Sequence, residues 1–444
     1  MDVQGAQLTR EEKLEQRFNW MLDPPMVRFV SPEAAKAYKV RAQRLINVYK
    51  VKEPDRVPVS LPVGAMPAYS YGIDYKTAMY DYEKTIQAWK KFNEEFEVDY
   101  IASPSILPGR IYDLLDYKLY AWPGHGMPEN ATGYQYVEGE YMKANEYDAL
   151  IKDPSDFLMR VYMPRVFGAF EPFRMLSSLV SVIELPIFYF MPYAMPQMQA
   201  AQQVLIDVGK EISRWAGFMF EFTRQRMELG FPSLSFGAFC KAPFDILGDT
   251  LRGTKGIMMD VYRQTDKLLE AMDVLADMTI RSAITSFNVS RSLIAIFPLH
   301  KGADGWMSQK QFETLYWPPL RKIMHALINE GIIVSLFAEG SFNTRLESVN
   351  EFHKGAVHWM FDRTDMARAK KILGDKCSIS GNVPSALLVA GTPGEVKEYC
   401  RNLIEVCGKG GGYLLSSGTA DVTETKPENL RAMIAAAREY GVYK

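Results

Sequence analysis

The chain has 444 residues, of which 48% are apolar and 23% are charged, and its formal net charge is −2. This is the composition of an ordinary globular protein, and the length suffices for two average domains or for one barrel with insertions. The small net charge excludes a strong overall electrostatic field, so we expect neither nucleic acid nor an anionic membrane as a partner.

Three further features bear on where the protein works. The first twenty residues are charged and lack the apolar core of a signal peptide. The most apolar stretch, 175–200, contains Glu184 and three prolines, which argues against a membrane-spanning helix. The four cysteines show no CxxC pairing and predict no disulfide framework. We therefore expect a cytoplasmic protein.

Short β-rich runs alternate with amphipathic helical stretches from residue 56 onward. The runs are 56–63, 99–103, 233–239, 294–299, 332–339, 355–361, 377–381 and 411–416. Near-continuous apolar strands separated by helices are typical of a parallel sheet covered on both faces. Eight such units predict an α/β fold, a single distorted (β/α)₈ barrel. No Gly-x-Gly-x-x-Gly follows the first strand, which argues against a dinucleotide-binding sheet.

Two segments lie outside this alternation. Residues 1–50 are predicted to form an N-terminal helical extension to a barrel that spans 51–444. Residues 104–231, after the second strand, are predicted to be a large insertion. Helices are expected at 308–330, 365–373, 393–407 and 427–440; the third begins with the capping box Thr392-Pro393-Gly394-Glu395.

Polar and titratable residues stand where the predicted strands end. Barrels carry their chemistry at the C-terminal ends of their strands, so we expect these side chains to converge on one mouth. His300 and Glu339, on neighbouring strands, are the strongest pair, because acid/base catalysis needs titratable groups within hydrogen-bond reach. A divalent cation held by His300 with Asp304 or Glu339 is an alternative. The catalytic candidates are His300, Lys301, Asp304 and Glu339, and the substrate-binding candidates are Trp306, Phe337, Asp362, Asn382, Ser417 and Thr419.

The insertion supplies two further candidates. His125 lies between two glycines in PGHGMPEN (123–130), and glycines let a backbone approach a ligand closely. We expect this loop to fold over the mouth and His125 to touch the substrate, although an exposed surface turn fits the pattern equally. The aromatic residues of the insertion are expected to form a wall over a flat ring, with plain core packing as the alternative. These residues are Tyr134, Tyr136, Phe188, Phe190 and Tyr193.

Several motifs in the right order resemble the uroporphyrinogen decarboxylase superfamily over residues 50–444. FGAFCKAPFDILGD (236–249) is similar to the family's Gly-Ala-Pro-Phe-Thr type segment. ISGNVPSALLVAGTPGEV (379–396) resembles its Gly-Asn-x-(Asp)-Pro…Gly-Thr-Pro-Glu-Glu-Val run, and GGGYLLSSGTADVTETKPENLRAM resembles its last strand and helix. The resemblance implies a distorted (β/α)₈ barrel, and this superfamily also contains corrinoid-dependent methyltransferases.

Departures from the family pattern narrow the expected activity. The segment after the first strand, 59–72, lacks the arginines with which decarboxylases of the family hold substrate carboxylates. In the thiol-methylating branch a His-x-Cys and a second Cys hold zinc; here the matching positions are Phe337, Glu339 and Thr419, so we expect no zinc. The substrate-side methyltransferases of anaerobic O-demethylase systems remain.

The resemblance therefore implies methyl transfer from a methoxylated small molecule, expected to be aromatic, to a corrinoid (cobalamin). No Asp-x-His-x-x-Gly signature is present, so the corrinoid is expected on a separate partner protein. His125 is expected to touch the substrate or the cobalt face. Glu339 or His300 would protonate the leaving oxygen, and Lys301 would stabilise developing charge. We expect Glu339 to be buried, bonded to Ser417 or Thr419, and not ion-paired.

Three alternatives stay open at this point. The first is a decarboxylase-like lyase acting on a tetrapyrrole or another carboxylate. The second is a non-catalytic protein that binds a corrinoid or a tetrapyrrole. The third is the oligomeric state: a homo-oligomer is compatible with the sequence, but no pattern in it indicates one.

Overall fold

The structure is a computed structural model and describes residues 8–234, 236–419 and 421–444. Residues 1–7 of the predicted extension, Ser235 in the third predicted strand and Ala420 in the last predicted strand-end loop lie outside the described residues. The strands are β1 (Tyr120–Pro123), β2 (Gly126–Met127), β3 (Gln135–Tyr136), β4 (Phe236–Phe239), β5 (Ile294–Leu299), β6 (Ile333–Ala338), β7 (Val357–Phe361), β8 (Ser378–Val383) and β9 (Tyr413–Ser417).

Twenty α-helical segments accompany these strands in the described residues. Some are extended by 3₁₀ turns (Ala144–Glu146, Gly168–Met175, Leu179–Val182 and Met191–Ala194) or by π turns (Phe157–Tyr162, Ile246–Leu251 and Phe312–Tyr316). The α-helices are α1 (Arg10–Leu22), α2 (Pro32–Tyr49), α3 (Met66–Ser70), α4 (Tyr75–Tyr80), α5 (Tyr82–Glu95), α6 (Gly109–Leu115), α7 (Tyr147–Lys152), α8 (Pro154–Asp156), α9 (Met163–Val166), α10 (Ile187–Phe190), α11 (Pro196–Glu228), α12 (Pro243–Asp245), α13 (Gly253–Arg263), α14 (Thr265–Ser290), α15 (Gln309–Gln311), α16 (Trp317–Asn329), α17 (Met366–Leu373), α18 (Ser385–Ala390), α19 (Pro393–Cys407) and α20 (Pro427–Tyr440).

Strands β4 to β9 form one parallel sheet in chain order, which makes the protein a mixed α/β fold. Alternate residues of β6 face opposite ways. Val334, Leu336 and Ala338 belong to the main core, which also contains residues of α16, so they face the covering helices. Ser335 and Phe337 therefore face the other side, the concave side of the sheet, and Glu339 continues that side beyond the strand end.

The first two predicted strands are wrong as strands. Residues 56–63 make only isolated bridges: a parallel one between Val59 and Leu415 of β9, and antiparallel ones from Arg56 to Val442 and from Val63 to Asp421. Residues 99–103 make none. Pro58 and Pro62 lack the N–H groups that a continuous ladder needs. Residues 56–63 and 99–103 still lie side by side, because the Asp99 carboxylate accepts the Val59 N–H at 2.8 Å. A hydrogen-bonded closure of eight strands is not formed in the described residues.

Helices α1 and α2 seal the N-terminal end of the sheet. Phe18, Leu45 and Tyr49 share one buried cluster with Ile294 of β5 and Ile333 of β6, which stand at the first positions of their strands. A ligand therefore reaches the concave side of the sheet from the other end, where the strands finish.

The insertion after residue 104 contains the small sheet β1–β3 and the long helix α11, which packs against α5 and α6. None of the helices in the described residues is both long enough and apolar enough to cross a membrane. The predicted helices at 393–407 and 427–440 are confirmed as α19 and α20.

Candidate active site

Two aspartates after β4 organise the C-terminal end of the sheet. Asp245 ends α12, and Asp249 follows four residues later in the π turn, so both lie on one helical face. The carboxylate of Asp245 accepts the backbone N–H groups of His300 and Lys301, each at 3.0 Å, and the hydroxyl of Tyr316 at 2.7 Å. The residues that follow β5 are thereby fixed onto the turn that follows β4.

Asp249 is the centre of a charged group, here called the Asp249 cluster, with His300, Lys241 and Lys301. Its Oδ2 atom lies 2.5 Å from His300 Nδ1 and 2.6 Å from Lys241 Nζ. The Lys301 ammonium contacts the other oxygen, Oδ1. Because an ionised carboxylate can only accept, His300 Nδ1 carries the proton of this hydrogen bond. The other ring nitrogen, Nε2, is left for a different partner.

The electrostatics of the cluster set its protonation. Burial by itself would raise the pKa of Asp249, but the hydrogen bond from His300 and the charges of Lys241 and Lys301 lower that pKa well below its ordinary value. Burial by itself would lower the pKa of His300, yet the hydrogen bond to Asp249 and the negative charge of Asp249 raise it. Burial raises the pKa of Asp245 to about 6, and the charge of Asp249 adds to this effect. His300 is thus favoured as an imidazolium beside an ionised Asp249.

Glu339 lies on the far side of His300. Its Oε1 atom is 3.6 Å from His300 Nε2, and 41% of its side chain is exposed. Partial burial raises the pKa of Glu339, and the positive charge of His300 opposes that rise. The expectation of a buried Glu339 without an ionic partner is therefore wrong. The reason is that the turn after β6 directs this carboxylate towards the residues after β5, away from the last strand.

Among the described residues, no hydrogen bond joins Ser417 or Thr419 to Glu339. The Ser417 hydroxyl donates to the Thr419 carbonyl, and the Thr419 hydroxyl donates to the Asp421 carbonyl at 3.2 Å. Both hydroxyls are thus used within their own loop. They stabilise the turn that follows β9, and Ser385 Oγ lies 3.4 Å from Thr419 Oγ1.

Three other candidates hold loops together. Asp304 accepts the hydroxyls of Ser341 and Thr344, each at 2.7 Å, and so joins the loops that follow β5 and β6. Asp362 accepts the Gly340 N–H at 3.0 Å. The Asn382 amide donates to the carbonyls of Asp362 and Thr364. These contacts position the rim of the mouth; they place none of the three side chains in the Asp249 cluster.

Trp306 and Phe337 lie beside the charged residues. The Lys301 ammonium is 4.8 Å from the centre of the Trp306 ring, a cation–π distance. Phe337 is half-buried on the concave side of β6, two residues before Glu339, and its register partners are Pro298 and Met360. Trp306 thus lies against the Asp249 cluster, and Phe337 lies on the side of the sheet that Glu339 continues.

The aromatic residues of the insertion divide into two groups. The Tyr136 hydroxyl donates to the Asp249 carbonyl. Burial raises the pKa of Tyr134, and the charges of Asp421 and Glu339 raise it further. Phe190 and Tyr193 instead pack against one another, and Phe188, like Phe190, is mostly exposed.

His125 makes its contacts inside the insertion. Its Nε2 atom lies 3.1 Å from Asp113 Oδ1, and its ring stacks on Trp122 at 4.7 Å between centres. Its side chain is 45% exposed, and neither contact belongs to the Asp249 cluster. These contacts agree with the surface-turn interpretation of PGHGMPEN.

Three functional candidates were missed at the level of sequence: Lys241, Asp245 and Asp249. All three lie in FGAFCKAPFDILGD, directly after β4. The sequence pattern that could have identified them is a lysine at a strand end followed by two aspartates four residues apart. Among the described residues, no three His, Cys, Asp or Glu side chains are grouped so that they could hold a metal ion.

Comparison with known proteins places the chain in a family. The family model described as Uroporphyrinogen decarboxylase (URO-D) matches residues 217–440. The uroporphyrinogen decarboxylase of Cellvibrio japonicus (strain Ueda107) is 25% identical over 203 residues, which are 45% of this chain and 55% of the relative. That of Hydrogenovibrio crunogenus (strain DSM 25203 / XCL-2) is 28% identical over 204 residues, again 45% and 55%. The chain thus spans about half the length of the curated relatives it matches.

A solved structure extends the comparison over nearly the whole fold. A methyltransferase from Methanosarcina mazei superposes with a TM-score of 0.58 and 15% sequence identity, covering 90% of this chain and 98% of that one. At this identity the likeness establishes the fold. Because the family model spans half of the sequence, and its span includes β4 to β9 and the Asp249 cluster, the chain belongs to the uroporphyrinogen decarboxylase family.

Proposed function

We propose that this protein is a methyltransferase that takes a methyl group from a methoxylated aromatic small molecule and passes it to a corrinoid carried by a separate protein. The observation that carries the proposal is the arrangement of His300 between two carboxylates, Asp249 at 2.5 Å and Glu339 at 3.6 Å. A solved protein of the same fold is named a methyltransferase, which agrees with this class of activity.

The chemical difficulty of the proposed reaction lies in the leaving group. When the methyl carbon–oxygen bond of an ether breaks, the oxygen takes the electron pair and gains a full negative charge. A positioned acid that protonates this oxygen contributes on the order of 10²–10⁴-fold to the rate. The corrinoid, when its carrier protein docks, would supply the cobalt nucleophile that accepts the methyl group.

His300 is the better proton donor of the two candidates. Its Nδ1 proton is engaged by Asp249, which fixes the ring and favours the imidazolium. The proton on Nε2 then faces Glu339, whose Oε1 atom lies 3.6 Å away. Glu339 acts as a positioning and charge-balancing residue, because its negative charge also raises the pKa of His300.

The surroundings of this acid suit a partner-borne cofactor and an aromatic substrate. The side chains of His300 and Glu339 are 32% and 41% exposed, so a large group can approach them from solvent. Trp306, over which the Lys301 ammonium lies, and Phe337, which faces the same side of β6 as Glu339, supply flat apolar faces near the acid.

A decarboxylase-like lyase acting on a tetrapyrrole or another carboxylate is the second candidate, favoured by the names of the curated relatives. Such a substrate needs cations that are free to bind its carboxylates. Lys241 and Lys301 both contact Asp249, so the cations of the cluster are already paired.

The two candidates are separated by one set of assays. Purified protein is mixed with a reduced corrinoid protein and a panel of methoxylated aromatic compounds, and the visible absorbance of the corrinoid is followed together with the demethylated product. The same protein is incubated with uroporphyrinogen, and release of carbon dioxide is measured. Methyl transfer to at least one compound supports the proposal. Carbon dioxide release without methyl transfer would show that the lyase is right.

A further inference from the structure

A second part of the molecule carries an unexplained surface, which we call the apolar arm, residues 175–195. Its 3₁₀ turns and α10 pack chiefly on one another and on α11. Ile183 and Ile187 are 72% and 69% exposed. The large apolar side chains that the arm exposes are Met175, Leu179, Val180, Val182, Ile183, Leu185, Ile187, Phe188, Phe190, Met191 and Met195.

Charge is almost absent from this surface. From residue 175 to residue 206 the only charged side chain is Glu184. Interface cores are depleted in charged residues in the same way. Monomeric proteins rarely expose contiguous apolar patches above roughly 300–600 Å². The exposed side chains of the arm present on the order of 1,000 Å², compared with about 800 Å² per partner in a standard interface.

Helix α11 continues the patch along one of its faces. Met198 and Ala201 are buried under the start of the arm, with Phe173 and Leu176. The same side of the helix then emerges into solvent, and we call its exposed part the α11 face. Its members are Leu205, Gly209, Ile212, Ala216 and Phe220, and all five are exposed.

The spacing and size of these residues are those of a helix-pairing seam. The intervals are four, three, four and four residues, which keep the set on one side of the helix. A glycine in a helix interior is unfavourable relative to alanine and needs a reason. At Gly209 a Cβ atom would meet no described atom within 4 Å, so packing within this chain does not require the glycine. A small residue here lets another helix approach the backbone closely.

We propose that the apolar arm and the α11 face form the interface between two copies of this chain. An uncharged apolar patch is complementary to itself, as a two-fold symmetric contact requires. The contact would be permanent, because permanent homodimer interfaces are more apolar than those of partners that come and go. This inference is independent of the proposed methyl transfer.

Two other occupants fit the surface less well. A corrinoid-carrying protein must come and go and must reach His300, so it is expected to use a mixed polar surface near the mouth. Membrane-surface segments use lysine and arginine to attract anionic lipid, and residues 175–206 contain neither.

The test compares the full chain with a charged variant of the α11 face. Light scattering and sedimentation are measured between about 1 and 100 µM, where a permanent dimer stays associated and one weakened to micromolar affinity dissociates. We expect the native chain to be a dimer. Ile212→Glu places an unpaired charge in the seam of both copies. The dissociation constant of the variant dimer should therefore rise by about 100-fold or more. Gln203→Glu, an exposed change on the other side of α11, is the matched control and should leave the dimer intact.

Cysteine scanning gives a second readout that needs no destabilising change. The natural cysteines are all buried, so background cross-linking is low. Cysteine is placed at Leu205, Gly209, Ile212 or Ala216, with Gln203→Cys as the control. We expect disulfide-linked dimers from at least one seam position and none from the control.

Three outcomes would overturn the proposal. The first is a native chain that stays monomeric over the whole concentration range. The second is a dimer that Ile212→Glu leaves unchanged and that no seam cysteine cross-links. The third is a monomer that sediments with vesicles of phosphatidylcholine and phosphatidylglycerol through the arm, because the occupant would then be a membrane.

Discussion

His300 Nδ1 lies 2.5 Å from Asp249 Oδ2, although the two residues are 51 positions apart in the chain. The bond joins the turn after β4 to the loop after β5, and it leaves Nε2 of the ring free to face Glu339. Asp245 reinforces the junction by binding the backbone N–H groups of His300 and Lys301. A proton-carrying imidazole is therefore held at the C-terminal end of the sheet by two carboxylates of the turn after β4.

Replacement of His300 by glutamine should remove the proton donor. The glutamine amide could still accept or donate hydrogen bonds, but it cannot give up a proton, so methyl transfer should fall by about 10²-fold or more. Steady-state rates with the best methoxylated substrate measure this. His353→Gln changes an exposed histidine before β7 and should leave the rate unchanged. Equal rates for native protein and His300→Gln would remove His300 from the mechanism.

Asp249→Asn should move the pH profile of the reaction. Asp249 raises the pKa of His300, so its loss lowers that pKa. The active, protonated imidazole is then lost at a lower pH, and the alkaline limb of the rate profile should shift to lower pH. Asp304→Asn disturbs a loop contact outside the cluster and should weaken stability without this shift. An unshifted alkaline limb in Asp249→Asn would contradict the proposed pairing.

Glu339→Gln distinguishes the two candidate donors. If His300 is the donor, this variant keeps the acid and loses only a neighbouring charge, so its rate should fall less than that of His300→Gln. Its alkaline limb should also shift to lower pH, since the Glu339 charge helps to raise the pKa of His300. Glu347→Gln, an exposed change in the same loop region, is the control. A larger loss in Glu339→Gln than in His300→Gln would make the carboxylate the donor.

His358 makes stability depend on pH below neutrality. It is buried on the concave side of the sheet, and its ring nitrogens lie 2.9 Å and 3.0 Å from the hydroxyls of Ser378 and Ser380. Burial lowers the pKa of His358 to about 4, whereas an unfolded histidine titrates near 6.5. The unfolded state therefore binds more protons as the pH falls through 6.5, and folding loses about 2–3 kcal/mol by pH 4.5.

Denaturant unfolding at pH 7 and pH 4.5 measures this loss. The variant His358→Gln has no ionisable group at this position, so its own difference between the two pH values should be smaller than that of the native protein. His325→Gln, an exposed change in α16, should retain the native difference. The same difference in His358→Gln and native protein would show that other groups cause the loss.

Zinc content tests the interpretation of Phe337, Glu339 and Thr419 as replaced ligands. We predict that protein purified without chelator contains well under one zinc per chain by elemental analysis. Near-stoichiometric zinc that is lost on Glu339→Gln would contradict this prediction and would reopen a metal-dependent mechanism.

Local patterns in the sequence determined much of the secondary structure. The largely apolar runs at 294–299 and 355–361 became β5 and β7, because a strand buried on both faces is apolar along most of its length. The capping box at Thr392 and the proline at 427 placed the starts of α19 and α20 correctly. His300 and Glu339 were identified for the same reason: a strand end is a local feature.

Only the tertiary structure decided which of these side chains meet. The fold brings His300 to Asp249 and to Glu339, leaves Asp304 as a link between loops, and turns Ser417 and Thr419 back onto their own backbone. It also kept residues 56–63 and 99–103 from forming regular strands. Contacts between residues far apart in the chain depend on how strands twist and how loops pack, and periodicity within a short segment carries no information about either.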